Sequence, residues 1–158
     1  GTPVVTLRPF NTYGPRQSAR AVIPTVTTQL LAGRPIRLGD TRPTRDFVYV
    51  DDTVDAFLRA GSVAGIEGLT VHTGTGIETR VGDLPALIAR AAGMEFSVEE
   101  DASRLRPPAS EVERLCADAS LARERLGWAP RVPIAEGLGR VVEFVRENPG
   151  LYRPEEYA

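Results

Sequence analysis

The chain has 158 residues, of which 42% are hydrophobic and 25% are charged, a composition typical of a globular domain. Its formal net charge of -2 gives no electrostatic reason to expect a nucleic acid or an anionic membrane surface as a partner. No stretch is long and apolar enough for a signal peptide or a membrane span, so we expect a cytoplasmic protein.

Two residue counts exclude several kinds of chemistry. All 19 basic residues are arginines, so these residues cannot form a Schiff base or supply the phosphate-binding lysine of a P-loop. The only cysteine, Cys116, cannot form a disulfide within the chain, and no base accompanies it nearby in sequence. We therefore interpret Cys116 as a buried structural thiol rather than a nucleophile.

The first half of the chain alternates between strand and helix patterns. We predict a buried strand at residues 3–8, a helix at 21–32 that Gly33 ends, and strands at 36–38 and 46–50.

The next helix is predicted to begin at residues 51–53. Asp52 is expected to cap its free amides, where a carboxylate also interacts favourably with the helix dipole. The residues expected to form its packed face are Val54, Ala56, Phe57, Leu58 and Ala60.

The second half continues the alternation. The only histidine, His72, falls inside a predicted strand and is interpreted as structural. Gly74-Thr75-Gly76 is interpreted as a turn, because no third glycine stands at the spacing of a dinucleotide-binding loop. The predicted elements are strands at 69–73 and 96–98, helices at 81–92 and 117–126, a surface or cleft loop at 103–113, and a last helix from Pro133 to the turn at 148–150.

Loops carry the residues best suited to bind a substrate. Asn11 follows the first strand, where ligands of open α/β sheets bind, and its amide offers both a donor and an acceptor. Arg45 and Arg106 lie in loops with prolines, and their guanidinium groups suit a diphosphate. Surface ion pairs, of Arg45 with Asp46 and of Arg106 with Glu111, are the alternative interpretation.

Three ordered motifs resemble one enzyme family. They are LRPFNTYGPRQ at 7–17, RDFVYVDD at 45–52, and RP at 106–107 followed by ADASLA at 117–122 and LGW at 126–128. In this order they are similar to the extended short-chain dehydrogenase/reductases, the nucleotide-sugar epimerases and 4,6-dehydratases. The resemblance implies an α/β fold, namely the C-terminal part of the Rossmann-like fold of that family with its small substrate-binding domain. Residues 1–158 would then be the substrate-binding C-terminal half.

The resemblance also implies roles for individual residues. Arg45 and Arg106 resemble the pair that holds the substrate pyrophosphate, and Asn11 resembles a contact to its phosphate or sugar. The residues that would pack about the nucleotide base are Val22, Ile23, Pro24 and Leu38. The residues that would line the nicotinamide are Pro9 and Phe10.

By the same resemblance, the N-terminal cofactor-binding half is absent from this sequence. The chain has neither the glycine-rich fingerprint nor the Tyr-x-x-x-Lys pair of the family, and Tyr13 and Tyr49 are interpreted as core or wall residues. We expect NAD or NADP in the full-length parent and none bound tightly by this chain alone. We assign no catalytic residue and no metal ligand, and we expect the chain alone to be inactive. Apolar surface that the missing half would leave at the strand from Val4 to Leu7 and at the helix after it predicts self-association.

Within the family, the segments at 8–25, 36–53 and 106–115 resemble 4,6-dehydratases that act on nucleotide-linked N-acetylglucosamine. This implies the substrate-binding part of a lyase acting on a nucleoside-diphosphate hexose such as UDP-N-acetylglucosamine. A UDP-sugar 4-epimerase shares the same motifs. A non-catalytic binding or assembly module is the alternative from a different class of protein, because a fold does not establish an activity.

Overall fold

The computed structural model describes residues 2–101 and 112–152. Strands and helices alternate along these ranges. The strands are β1 (Thr6–Pro9), β2 (Asn11–Tyr13), β3 (Ile36–Leu38), β4 (Thr44–Arg45), β5 (Phe47–Tyr49), β6 (Thr70–Thr73), β7 (Thr79–Arg80), β8 (Val98–Glu100) and β9 (Arg114–Leu115). The helices are α1 (Val22–Leu31), α2 (Val50–Ser62), α3 (Leu84–Ala92), α4 (Ser120–Leu126) and α5 (Ile134–Glu147). The predicted α/β class is confirmed.

Parallel pairing dominates the strands of the described residues. β1 pairs with β6, β2 with β5, and β3 with β8, all in parallel. β4 lies between β7, which is antiparallel to it, and β9, which is parallel. Because β1 and β6 run the same way, the loops that leave their carboxyl ends lie side by side.

The buried apolar residues form two clusters. The first joins Tyr13 to α1, α3 and α5, with Ile23, Ile88 and Val141 almost fully buried. The second lies between β5, β6, α2 and α4, and its largest member, Trp128, is fully buried. The loop from Trp128 to α5 therefore connects the two clusters.

Asp52 is structural, but the prediction that it caps α2 is wrong. α2 begins at Val50, one residue after its N-cap Tyr49, and no side chain of the described residues caps it. The buried carboxylate of Asp52 instead accepts the backbone N–H groups of Arg131 and Val132, each at 3.0 Å. Its carbonyl oxygen accepts the indole N–H of Trp128 at 2.9 Å. Asp52 thus fixes the loop before α5 against the first turn of α2.

The predicted packed face of α2 is also only partly correct. Ala56 and Ala60 are buried, whereas Val54, Phe57 and Leu58 are 50%, 54% and 68% exposed. Both the small alanines and the larger apolar residues recur at helical spacing along α2. The alanines are buried because their small side chains allow α2 to pack closely on the strands and on α4. The larger apolar residues therefore form an open surface, which we call the α2 apolar face.

Strand β1 is more open than predicted. Val4, just before it, is 58% exposed, and Leu7 is half-buried. Within the described residues β1 has a strand partner, β6, on one edge, so much of its apolar surface stays uncovered.

The other element boundaries differ by a few residues. α4 starts at Ser120 rather than Ala117, because the Asp118 carboxylate accepts the N–H of Ser120 at 2.9 Å and the N–H of Ala117 is engaged elsewhere. β8 starts at Val98 rather than Phe96. Within the described ranges no helix is long and apolar enough to cross a membrane.

Candidate functional site

A cavity of about 390 Å³ lies between the start of α1, the loop before it, and strands β3 and β4. This volume falls in the range of small-molecule sites. Its apolar lining comes from residues that also belong to the first core cluster, among them Ile23, Leu38 and Phe47. We call it the arginine cavity, because Arg20, Arg37 and Arg45 also line it.

Among the described residues, positively charged side chains outnumber negatively charged ones around the arginine cavity. In this part of the chain, three arginines and one acidic residue, Asp40, line it, and one of the arginines, Arg37, is paired with the exposed Glu99. Asp40 is already bound by Arg42, whose Nε and Nη2 lie 3.0 and 2.7 Å from its oxygens. The cavity therefore combines an apolar wall with a cationic rim, which suits a flat ring joined to a phosphate group.

The bond with Arg42 also changes the acidity of Asp40. Hydrogen bonds from the Arg42 side chain and backbone lower the pKa of Asp40 from its ordinary 3.8 to about 2. Asp40 is thus ionised throughout the neutral range, and its charge is neutralised locally. Less of the negative charge of Asp40 therefore remains to repel an anionic ligand.

Strands β2 and β4 place Asn11 and Arg45 at this cavity. The backbone N–H of Asn11 donates to the carbonyl of Asp46 at 3.1 Å, next to Arg45 in sequence. The Nη1 of Arg45 donates to the carbonyl of the preceding residue, Thr44, at 2.8 Å. These two predicted site residues therefore lie on neighbouring segments.

A second cavity of about 350 Å³ adjoins the first. It is lined by Pro9, Phe10, Arg8, His72 and Leu115, and Asn11 lines both cavities. The rings of Phe10 and His72 meet edge to face, with centroids 5.9 Å apart. Arg8 and His72 are register partners in the β1–β6 pair. This second cavity places the residues predicted to line a nicotinamide beside the predicted substrate residues.

The structure brings most of the predicted site residues together. Those lining the arginine cavity are Asn11, Val22, Ile23, Leu38 and Arg45. Pro24 is buried in α1 and does not line the cavity. Arg106 lies outside the described residues, so its predicted role stays a prediction.

Sequence reasoning missed several residues of the arginine cavity. Gln17, Arg20 and Arg37 line it, but each is a polar residue in a loop or an exposed strand position. Gln17 Nε2 donates to the Thr12 carbonyl at 2.9 Å, and Arg37 Nε lies 3.2 Å from Glu99 Oε2. The usable signal for Arg20 was its position just before the helix that supplies Val22 and Ile23.

Asp46 makes the densest set of polar contacts near the site. It is fully buried. Oδ1 accepts the Thr75 backbone N–H at 2.8 Å and its hydroxyl at 2.6 Å. Oδ2 accepts the N–H groups of Gly76 at 2.8 Å and Ala117 at 3.1 Å. The alternative interpretation, a surface ion pair between Arg45 and Asp46, is therefore wrong, since this carboxylate is buried and binds backbone amides and a hydroxyl.

Cys116 lines neither of the two cavities. Cys116 is half-buried rather than buried, and partial burial, with smaller contributions from Asp46 and Glu78, raises the pKa of its thiol. In residues 2–101 and 112–152, no group of three or more His, Cys, Asp and Glu side chains could hold a metal ion.

Comparisons with known proteins agree on one family. Residues 1–141 match the family model described as GDP-mannose 4,6 dehydratase. The UDP-glucose 4-epimerase of Mycolicibacterium smegmatis is 43% identical over 146 residues, which cover 90% of this chain and 45% of that protein. A dTDP-glucose 4,6-dehydratase of Streptomyces antibioticus is 30% identical over 158 residues, covering 98% of this chain and 45% of that protein. The chain thus spans about half the length of these relatives.

A solved structure supports the same assignment. The UDP-glucuronic acid 4-epimerase from Bacillus cereus, in complex with UDP-glucuronic acid and NAD, superposes with a TM-score of 0.83 at 26% identity. The match covers 92% of this chain and 46% of that one. These proteins support the wider family and the Rossmann-like fold, but not the N-acetylglucosamine subtype in particular. The chain therefore belongs to the GDP-mannose 4,6-dehydratase family of extended short-chain dehydrogenase/reductases, which holds nucleotide-sugar epimerases and dehydratases.

Proposed function

We propose that this chain is the substrate-binding C-terminal half of a nicotinamide-dependent nucleotide-sugar epimerase or 4,6-dehydratase. One observation carries the proposal: the arginine cavity joins an apolar wall to three guanidinium groups and Asn11. The wall, including Val22, Ile23 and Leu38, suits a nucleotide base, and the guanidinium groups suit a diphosphate. Arg106 remains a proposed second ligand of the diphosphate.

The second cavity suits the sugar and one face of a nicotinamide. Pro9 and Phe10 offer an apolar wall there, and Asn11 stands where the two cavities adjoin. When bound, the nicotinamide supplies hydride transfer, and the residues of this chain hold and orient the sugar against it. We assign none of them as the acid or base.

The cofactor-binding half is proposed to lie outside residues 1–158 and to cover the α2 apolar face. The half-length match to the relatives and the exposure of Val54, Phe57 and Leu58 support this arrangement. Without such a half we expect the chain to self-associate and to show no turnover. Gel filtration with a hydrophobic dye tests this: a monomer that binds no dye would contradict it. A cytoplasmic location stays a prediction.

Titration of UDP against the complete gene product tests the binding site. Arg45→Ala is expected to weaken UDP binding at least about tenfold, through the loss of a charged hydrogen bond to phosphate. The matched control is Arg90→Ala, which removes an exposed arginine of α3 that does not line the arginine cavity. No binding of UDP to the unaltered protein, or equal loss in both variants, would contradict the proposal.

Product analysis decides between the two reactions. The motifs favour a 4,6-dehydratase acting on UDP-N-acetylglucosamine, while the 43% identity to a UDP-glucose 4-epimerase favours epimerisation. With UDP-N-acetylglucosamine and NAD, a dehydratase gives a 4-keto-6-deoxy sugar, and an epimerase gives a sugar with its C4 hydroxyl inverted.

A further inference from the structure

We propose that Asp46 is a positioning residue for the nucleotide-sugar site, holding Asn11 and Arg45 in place through a buried hydrogen-bonded junction. This inference rests on the proposed function of the arginine cavity. Asp46 itself does not line that cavity. It acts through its neighbours, so its effect is expected on ligand affinity and not on any chemical step.

The junction joins segments that are distant in sequence. The carboxylate of Asp46 binds the turn at 74–76 through three hydrogen bonds, and the segment before α4 through the N–H of Ala117. Its carbonyl binds the N–H of Asn11 at 3.1 Å. A single residue therefore connects β2, the end of β4, the turn after β6 and the chain after β9.

The backbone at Gly74 packs closely against the Asp46 carboxylate. A Cβ on Gly74 would lie 2.6 Å from Asp46 Oδ2 and would also collide with the Cβ of Ala117. Glycine at 74 thus lets the backbone of the turn approach the carboxylate closely. This gives Gly74-Thr75-Gly76 a role beyond that of a plain turn: it is the main partner of Asp46.

The chemistry of the junction requires a carboxylate. Its four contacts with the described residues are all donors, three backbone N–H groups and one hydroxyl. An asparagine would place an NH₂ group against at least one of these N–H donors, which leaves buried donors without acceptors. The expected response is a local shift of the 74–76 turn and of the backbone between β4 and β5. Asn11 and Arg45 flank that backbone, so the shift is transmitted to both.

Two pairs of variants in the complete gene product test the inference. In the first, Asp46→Asn is compared with Asp52→Asn. Asp52 is also a buried carboxylate that accepts two backbone N–H groups, but it anchors the loop before α5. Both variants are expected to lower the melting temperature. Asp46→Asn alone is expected to weaken UDP binding, by about tenfold to about a hundredfold, the loss that follows when one charged hydrogen bond to a phosphate is misplaced.

The second pair keeps the carboxylate, in case Asp46→Asn does not fold. Thr75→Val removes the hydroxyl that donates to Asp46 Oδ1. The matched control is Thr73→Val, because the buried Thr73 hydroxyl has no hydrogen-bond partner among the described residues. Thr75→Val is expected to weaken UDP binding several-fold, and Thr73→Val to leave it unchanged.

The outcomes separate this inference from the proposed function. If the unaltered protein does not bind UDP, the proposed function fails and this inference fails with it. If the unaltered protein binds UDP and Asp46→Asn binds it equally well, the inference alone is overturned. The same holds if Asp46→Asn does not fold and Thr75→Val binds as tightly as Thr73→Val.

Discussion

Two glycines of helix α5 give a sharp test of core packing. An alanine in place of an interior helical glycine normally stabilises a protein by about 1 kcal/mol, because glycine has the lower helix propensity. Gly139 has open space around it, with no atom of the described residues within 4 Å of the position of a Cβ. Gly139→Ala is therefore expected to raise the free energy of unfolding by about 0.5–1 kcal/mol.

Gly137 lies two residues earlier and faces the first core cluster. A Cβ there would collide with Tyr13 Oη and lie 2.8 Å from Tyr13 Cζ and 2.9 Å from Tyr49 Cδ2. The Tyr13 hydroxyl, which donates to the Ile134 carbonyl at 3.4 Å, would have to move. Overpacking of this kind costs about 1–3 kcal/mol, and at its upper end it outweighs the propensity gain by about 2 kcal/mol.

Chemical denaturation of the two variants measures the difference. We expect Gly137→Ala to unfold at lower denaturant than the unaltered protein and Gly139→Ala at higher denaturant, with a gap of up to about 3 kcal/mol between them. Equal stability of the two variants would refute the reasoning, because helix propensity alone predicts the same gain at both positions.

Three further predictions concern single side chains. Trp128→Phe is expected to cost about 1–3 kcal/mol in denaturation experiments, through the lost bond to the Asp52 carbonyl and the smaller ring; no measurable loss would contradict it. The Asp40 carboxyl is expected to titrate near pH 2 by NMR and to move up towards its ordinary 3.8 in Arg42→Gln, where the backbone N–H of residue 42 still donates to it. Since the pKa of Asp40 is lowered in the folded state, its contribution to stability is present above about pH 4 and is lost as the pH falls towards about 2. A titration midpoint of Asp40 that is unchanged in Arg42→Gln would be inconsistent with the Arg42 contact. The Cys116 thiol, with its raised pKa, is expected to react with iodoacetamide more slowly at pH 8 than a free thiol, and a faster reaction would contradict the burial effect.

The sequence was sufficient where periodicity and stop signals agreed. Helix α1 was predicted at 21–32 and lies at Val22–Leu31, because its apolar spacing and Gly33 mark the same end. The buried face of α2 was harder to predict, because both the small residues and the larger apolar residues recur at helical spacing. Which stripe is buried depends on what packs against it, and that information comes from distant parts of the chain.

The residues of the site likewise divide into those that local sequence predicts and those that it does not. Asn11 and Arg45 could be predicted to lie at one site from their motifs, and both line one cavity, although they belong to the short strands β2 and β4 rather than to loops. Arg20 and Arg37 could not be distinguished from ordinary surface arginines until β3 and the loop before α1 were placed together. The hydrogen bonds of Asp46 to residues 75, 76 and 117 span up to 71 positions of sequence, and no local pattern encodes such partners.

The contacts of Asp52 have a consequence for how the protein opens. Trp128 belongs to one core cluster and Val132 packs against the other, and both are bound to the first turn of α2. Neither cluster can separate from α2 without breaking hydrogen bonds to Asp52, so the two should open as one cooperative unit. The amide hydrogens of Arg131 and Val132 lie in a loop, where exchange with solvent is ordinarily fast. Here they should exchange as slowly as the amides of the helices they join.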